Sequence, residues 1–249
     1  MRHYTISLAA PAYNEADGLE KTVAEWQAYL KETPFVTEYE IVICNDGSRD
    51  QTGAVLDRLA QDDAHVRAIH LEKNQGAAAA LSKAIAATRL DWVLLLDSDG
   101  QFPITSLAPM LEKVEAGASA VIGARRKKED SFFTRFGSMS SSRVCNLFFG
   151  TLYADFNSVF KLVPGPLLRG LTLEAKGLNS STDVTAKLLE RGVRIEEIPI
   201  THRPRTSGKS SVRRVRDALH RFLFVFYIGY RQLLFKLRVL QRPSQYDKP

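Results

Sequence analysis

The sequence predicts an α/β fold, an open and mostly parallel sheet with helices on both faces, followed by a C-terminal amphipathic helix. Three observations carry this reading. Five short apolar runs alternate with four helical patterns between Tyr4 and Gly123. The runs are nearly continuous (Ile41-Val42-Ile43-Cys44, Trp92-Val93-Leu94-Leu95-Leu96), as in strands buried on both faces of a helix-covered sheet. Four of them lead into polar segments rich in Asp, Asn and Gly, where open α/β sheets bind ligands beyond the carboxyl ends of their strands.

In order, Tyr4–Ala10 reads as a strand and Glu15–Lys31 as a helix. Glu40–Cys44 is a strand, and a helix runs from Asp50 to about Gln61, with Asp50 suited to cap it. Val66–Leu71 is the third strand and the Ala-rich Gly76–Thr88 the third helix. Trp92–Leu96 is a strand, Thr105–Glu115 a helix and Ser119–Gly123 a strand. The second half is less regular. Arg125–Ser131 is a charged loop, Phe132–Gly150 a helix, Asp155–Val163 a strand, Ser181–Arg191 a helix and Val193–Ile200 a strand. Thr201–Ser211 is a basic loop, and Val212–Leu240 reads as one long helix. With no internal repeat or low-complexity linker, residues 1–211 form one domain and 212–249 a basic helical extension.

The 249 residues, 45% hydrophobic and 25% charged, exclude a disordered or fibrous chain, and a chain this long buries a core without staples. The net charge of +6 is unevenly placed. Residues 200–249 hold 12 Lys+Arg against only Asp217 and Asp247, a net of +10, which leaves −4 on residues 1–199. Such asymmetry points to nucleic acid, an anionic membrane surface or a phosphorylated ligand. Cys44 and Cys145 lack metal-type spacing and read as buried, reduced thiols. The N-terminal apolar stretch is too short for a signal peptide. No segment reaches the roughly 18–20 apolar residues of a membrane span, the longest being Phe222–Tyr230 between Arg221 and Arg231. The expected location is the cytoplasm.

No Gly-x-Gly-x-x-Gly follows the first strand, and there is no Walker-type loop. The polar segments are instead Pro11-Ala12-Tyr13-Asn14-Glu15, Asn45-Asp46-Gly47-Ser48-Arg49-Asp50-Gln51-Thr52, Asn74-Gln75-Gly76-Ala77-Ala78-Ala79-Ala80 and Asp97-Ser98-Asp99-Gly100-Gln101-Phe102-Pro103. Taken singly, Asp46-Gly47-Ser48 is also compatible with a plain turn. Asp97 and Asp99, two apart in extended chain, point the same way and repel at the end of a buried strand. A hard divalent cation, Mg²⁺ or Mn²⁺, resolves that repulsion, with Gln101 adding a neutral oxygen.

Together these motifs resemble the family 2 glycosyltransferases, inverting enzymes of the GT-A (nucleotide-diphospho-sugar transferase) fold, from Tyr4 to about Ser211. Within that family the chain looks most like the dolichyl- and polyprenyl-phosphate sugar transferases. The closer match rests on Asp97-x-Asp99-x-Gln101-x-Pro103, Gly123-Ala124-Arg125-Arg126, Ser142-Arg143-x-x-Asn146, Asn157-Ser158-x-Phe160-Lys161 and His202-Arg203-Pro204-Arg205-Thr206-x-Gly208-x-Ser210. The resemblance implies that Pro11, Tyr13 and Glu15 line the nucleobase and ribose pocket, with Asp46, Asp97 and Ser98 also on the nucleotide. It implies that Asp97, Asp99 and Gln101 hold the metal on the diphosphate. Asn45 departs from the two consecutive Asp usual there, and Ala78 stands where relatives often have Gly.

A hydroxyl acceptor needs a general base, whereas a phosphate monoester is already anionic and needs cations that place it, a role suited to Arg. Arg125, Arg135, Ser142, Arg143, Arg205 and Lys209 are the candidates for an acceptor phosphate. Arg126, Lys127 and Lys128 read as solvated surface charge. Asp99, Asp183 and Arg125 are the candidate catalytic residues. Asp183 is a base if the acceptor is a hydroxyl of a glycan or small molecule, an organising acid if it is a polyprenyl phosphate, and otherwise a charge on a helix dipole. From Val212 onward, Val215, Leu219, Phe222, Phe226, Tyr230, Leu233, Leu237 and Leu240 recur at helical spacing among Arg213, Arg214, Arg216, Arg221, Arg231, Lys236 and Arg238. Such a helix lies in a membrane interface or packs its stripe on the protein's own core or a second subunit. The leading expectation is sugar transfer from a nucleotide-sugar to a polyprenyl phosphate at the inner membrane face, with a homo-oligomer left open. A non-catalytic nucleotide-sugar or nucleic-acid binding protein is the distant alternative, and no nucleic-acid motif supports the latter.

Overall fold

The sheet grows outward from a buried central strand. In the computed structural model, β1 (Tyr4–Ala12) pairs in parallel with β2 (Val36–Asn45) on one side and β4 (Trp92–Leu95) on the other. The structure describes residues 2–125, 132–175, 177–204 and 214–240, and their side chains apart from those of 132–138, 178 and 214–218. Beyond β2 lies β3 (Val66–His70), also parallel. Beyond β4 lies β6 (Lys161–Pro164), antiparallel both to β4 and to β5 (Ala120–Arg125), and β7 (Ile195–Ile200) closes the sheet parallel to β5. The order is β3-β2-β1-β4-β6-β5-β7.

Consecutive residues of the central strands are fully buried: Leu8 to Ala10, Ile41 to Cys44 and Val93 to Leu96. Neighbours in a strand face opposite ways, so helices cover both faces, as the continuous apolar runs predict. The helices are α1 (Ala16–Glu32), α2 (Thr52–Asp62), α3 (Ala77–Ala87), α4 (Leu107–Glu115), α5 (Phe132–Phe149), α6 (Gly165–Arg169), α7 (Ser180–Glu190) and α8 (Arg214–Lys236). The chain leaves β1 through β2 to β3, then crosses back to β4 on the far side of β1. That reversal opens a crevice beyond the carboxyl ends of β1 and β4, which carry Pro11–Glu15 and Asp97–Pro103.

Three expectations change. The strand expected over Asp155–Val163 is confined to Lys161–Pro164. Residues 154–157 form a turn, closed by Ser158 N–H on the Asp155 carbonyl (3.1 Å), because Asp155 and Asn157 bond across to other elements instead of extending a ladder. The short α6 has no counterpart in the sequence reading. The last helix ends at Lys236, where Val239 N–H folds back to the Leu234 carbonyl (3.0 Å) and Arg238 turns left-handed (φ 59°).

The apolar stripe read along α8 does not pack on the protein's own core. Leu219, Phe222, Phe226, Tyr230, Leu233, Leu237 and Leu240 are all exposed, Tyr230 by 61%; the Val215 side chain lies outside the described residues. The helix instead buries Val225 and Ile228 with Cys145, Phe156 and Ala186. Gly229 lets it close on α5: a Cβ there would stand 2.2 Å from the Phe148 ring.

Candidate active site

The first two rim segments are stitched to each other. Asn14, held left-handed (φ 55°), donates its N–H to Ser48 Oγ (3.0 Å) and accepts from Arg49 N–H (2.9 Å). Glu15 N–H donates to Thr52 Oγ1 (2.9 Å), while Asp50 accepts from Thr52 N–H (3.0 Å) and Ala16 N–H (3.3 Å). Pro11 and Tyr13 are half-buried on this wall and Glu15 is buried. Asn45 is committed at both ends. Its oxygen accepts from Ser48 N–H (3.0 Å), and its amide nitrogen meets His70 Nδ1 (3.1 Å), whose Nε2 faces Asp57 (3.1 Å). The Asn45 amide thus ties the end of β2 both to the Ser48 turn and to the His70 ring at the end of β3.

Asp46 is buried and accepts from Gln75 N–H (2.7 Å), Gly76 N–H (2.9 Å) and Asn74 Nδ2 (3.0 Å). Burial pushes its carboxyl up, opposed by those backbone donors, so it shapes the third rim segment from within. Gly47 (φ 61°) allows the approach, since a Cβ would lie 2.5 Å from the Lys73 carbonyl carbon.

At the end of β4, Ser98 Oγ donates to the Pro11 carbonyl (2.8 Å), clipping the two strands beside the crevice. Asp99 accepts from Gln101 N–H (3.1 Å). The Gln101 side chain donates to the Arg203 carbonyl (3.1 Å), Arg203 N–H returns to the Gln101 carbonyl (2.9 Å), and the Arg203 guanidinium grips Glu25 (2.8 and 2.9 Å). The segment after β7 is thus fastened to the acidic motif. Asp97 and Asp99 remain half-buried at the rim. Asp97, Asp99 and Gln101 offer two carboxylates and an amide oxygen, the hard donor types that Mg²⁺ and Mn²⁺ take; among the described residues no group of three or more His, Cys, Asp or Glu converges.

The end of β5 supplies the cation. Arg125 donates through Nε and Nη2 to both oxygens of Asp155 (2.6 and 3.2 Å), with Asp155 1% exposed. Beside them, Lys161 is fully buried and donates to the Ser158 carbonyl. Burial pushes its ammonium down to about 7; Asp155 and Asp97 act to raise it and Arg125 to lower it. Ser142 is buried and accepts from Asn157 Nδ2 (3.0 Å), whose Oδ1 accepts from Thr182 (2.7 Å). Arg143 is exposed on α5. The Arg135 side chain, together with Arg126, Lys127, Lys128, Arg205 and Lys209, lies outside the described residues.

Asp183, in the first turn of α7, is fully buried. Its Oδ2 accepts from Glu174 N–H (2.6 Å) and Ala175 N–H (2.9 Å), and its Oδ1 faces Lys187 (3.9 Å) and Arg231 (4.0 Å). Burial raises its carboxyl against the opposing pull of those N–H groups and cations. The sequence motifs do not single out Asp155 or Arg231, and they hold Lys161 without giving it a role. A charged residue set inside an apolar run, Phe160-Lys161-Leu162-Val163, was the available signal for Lys161.

The sequence profile of glycosyl transferase family 2 matches residues 7–164. Among curated relatives, the undecaprenyl-phosphate 4-deoxy-4-formamido-L-arabinose transferase of Pseudomonas fluorescens is 33% identical over 145 residues, covering 58% of this chain and 41% of its own length. Glycosyltransferase AglD of Haloferax volcanii is 27% identical over 221 residues, covering 86% of this chain and 35% of its own. The chain thus spans less than half the length of either. Among solved structures, glucosyl-3-phosphoglycerate synthase of Mycobacterium tuberculosis, crystallised with Mn²⁺, UDP-glucose and phosphoglyceric acid, superposes with a TM-score of 0.65 at 20% identity, covering 92% of this chain and 79% of that one. The fold is that of the GT-A transferases.

Proposed function

The chain belongs to glycosyl transferase family 2, and on that premise we propose that it moves a sugar from a nucleotide-sugar, UDP- or GDP-linked, to a polyprenyl phosphate. The observation that carries this reading is the pairing of two strand ends across β6. Asp97, Asp99 and Gln101 stand at the end of β4, and the Arg125 guanidinium, fixed in plane by Asp155, stands at the end of β5. The P. fluorescens relative, a transferase named for undecaprenyl phosphate, supports a lipid phosphate acceptor. The Mn²⁺ and UDP-glucose of the M. tuberculosis structure support the donor and the metal.

In this reading Pro11, Tyr13, Glu15 and Asp46 form or support the nucleoside wall, and Ser98 keeps β1 and β4 in register beneath it. Asp97, Asp99 and Gln101 hold Mg²⁺ or Mn²⁺, which when bound offsets the charge of the departing diphosphate. Arg125, with Arg135, Ser142, Arg143, Arg205 and Lys209, orients the acceptor phosphate. A phosphate oxygen attacks the anomeric carbon from the face opposite the diphosphate. The sugar–phosphate bond of the donor breaks, the nucleoside diphosphate leaves and the configuration inverts. No proton has to be removed, and Asp183, tied to two backbone N–H groups, suits an organising acid better than a base. The exposed apolar face of α8 with its basic residues seats the protein on the cytoplasmic membrane surface; among the described residues no helix is long and apolar enough to cross a membrane.

The test is transfer from a panel of nucleotide-sugars to a short polyprenyl phosphate, read by product mass. The expected product is one glycosyl phosphate, and transfer to hydroxyl acceptors alone refutes the reading. Asp99→Ala is expected to abolish Mn²⁺-dependent UDP or GDP binding, and unchanged affinity removes the metal assignment.

A further inference from the structure

The buried face of α8 carries a guanidinium into a knot of carboxylates. Arg231 is 9% exposed. Its Nε donates to Glu190 (3.0 Å), its Nη1 donates to Glu174, and it lies over the Tyr227 ring at 5.4 Å, while the Tyr227 hydroxyl donates to Glu174 (3.0 Å). Glu174 is therefore held twice, by its carboxylate from α8 and by its N–H from Asp183. Between these holds, Arg231 Nη2 stands 2.9 Å from Glu190 Oε1 and 4.0 Å from Asp183 Oδ1, and Asp183 Oδ1 accepts no hydrogen bond. The buried side-chain oxygens of Asn179 and Gln232, on α8 and the segment it covers, likewise accept no hydrogen bond. A charged pair at 4.0 Å is about 1 Å short of a charge-assisted hydrogen bond, so a small displacement of α8 closes or opens it.

Both halves of the site reach this seam. Thr182, beside Asp183, bonds the Asn157 amide that also holds Ser142. Gly177 packs against Gly76, 3.7 Å from where a Cβ would stand, and Gly76 is tied to Asp46.

We propose that Arg231 is a positioning residue: through Asp183 and Glu174 it sets the 171–175 segment beside the site, so that seating α8 on an anionic lipid surface and ordering that segment are one event. The inference rests on the lipid-phosphate reading above. The occupant of the outer face is taken as anionic lipid because Phe222, Phe226 and Tyr230 are exposed there on a helix that also carries Arg221 and Lys236, with Arg238 just beyond its end, and the last 50 residues have a net charge of +10.

The test is a double-mutant cycle in the full chain with Arg231→Met, Asp183→Asn and their combination. Transfer to polyprenyl phosphate is measured in phosphatidylcholine–phosphatidylglycerol vesicles, and UDP or GDP affinity separately. If Arg231 acts through Asp183, each single change lowers kcat/KM for the acceptor about tenfold, donor affinity stays within about twofold, and the combination is no worse than the worse single variant. Multiplying effects, or an equal loss of donor affinity, overturn the inference. Anionic vesicles are expected to stimulate the wild type on a short-chain acceptor. Arg231→Met is expected to sediment with the vesicles without being stimulated; retained stimulation overturns the link, as does a wild type that ignores vesicles. Tyr227→Phe removes only the hydroxyl bond to Glu174 and carries the same cycle, with a smaller effect, should Arg231→Met not fold. Donor binding without transfer to any phosphate refutes the proposed function itself, whereas transfer with multiplying variants refutes only the role of Arg231.

Discussion

Asp155 bonds the half-buried Arg125 guanidinium and acts on the fully buried Lys161 ammonium, so its neutralisation should cost more than the loss of Arg125 alone. Asp155→Asn keeps the shape but removes the charge that Arg125 grips at 2.6 and 3.2 Å and that Lys161 senses from full burial. Breaking a buried pair by removing one partner costs about 3–5 kcal/mol. Arg125 retains 15% side-chain exposure and Asn can still accept one bond, so the lower end applies, about 3 kcal/mol. For a chain of this length each kcal/mol shifts the midpoint by about 2–4 °C, so Tm should fall by roughly 6–12 °C. At pH 6, where Lys161 keeps its charge, Arg125→Met leaves Asp155 that one cation and should cost less than Asp155→Asn. Scanning calorimetry and urea melts with unchanged slope measure both. Transfer should fall in both variants with UDP or GDP affinity retained. If Arg125→Met proves as destabilising as Asp155→Asn, Lys161 does not share the Asp155 charge and the buried network is misread.

Lys161 gives a pH signature of known sign. Its ammonium is pushed from 10.5 down to about 7, so between those values the unfolded chain holds one more proton than the folded one, and stability rises with pH across that window. Lys161→Met should remove this rise, which paired urea melts at pH 7 and pH 9 detect as a smaller difference than in the wild type. Cys44 and Cys145 are buried with thiols pushed up to about 12, burial being the first cause in each; neither should react with a disulfide reagent in the native state and both should in denaturant. Gly229→Ala places a Cβ 2.2 Å from the Phe148 ring and should cost about 1–3 kcal/mol by overpacking, read as a fall in Tm.

The strands were legible because burial on both faces forces continuous apolar runs, and Ile41 to Cys44 and Val93 to Leu96 occur as such. Boundaries moved where a strand outruns its apolar core: β5 continues past Gly123 to Arg125, which is how the guanidinium reaches the rim. The stretch before β6 misled for a related reason. Asp155-Phe156-Asn157-Ser158-Val159-Phe160 alternates polar and apolar residues as a half-buried strand does, yet both Asp155 and Asn157 are buried and bonded sideways. On α8 the spacing identified an apolar stripe correctly but says nothing of what lies against it. The face that packs holds fewer apolar residues, with Arg231 among them.

The candidate site was legible only where chemistry is written in consecutive residues. Asp97-x-Asp99-x-Gln101 can be read along one strand end, whereas the charged contacts that hold the surrounding elements join distant residues: Arg125 meets Asp155 across 30 residues, Arg231 meets Glu190 across 41 and Arg203 meets Glu25 across 178. What brings the first of these together is the direction of one short strand. Because β6 runs antiparallel between β4 and β5, the turn that precedes it arrives at the rim formed by their carboxyl ends, not at the opposite edge. Lys161 then begins the strand between Leu95 and Ile122, with Asp97 two residues beyond one neighbour and Arg125 three beyond the other. A parallel strand with the same residues would carry Asp155 to the far end of the sheet and leave Arg125 without its partner. The reversal therefore puts the acidic half of the site and its basic half on one buried charge network, and no local pattern in the chain announces it.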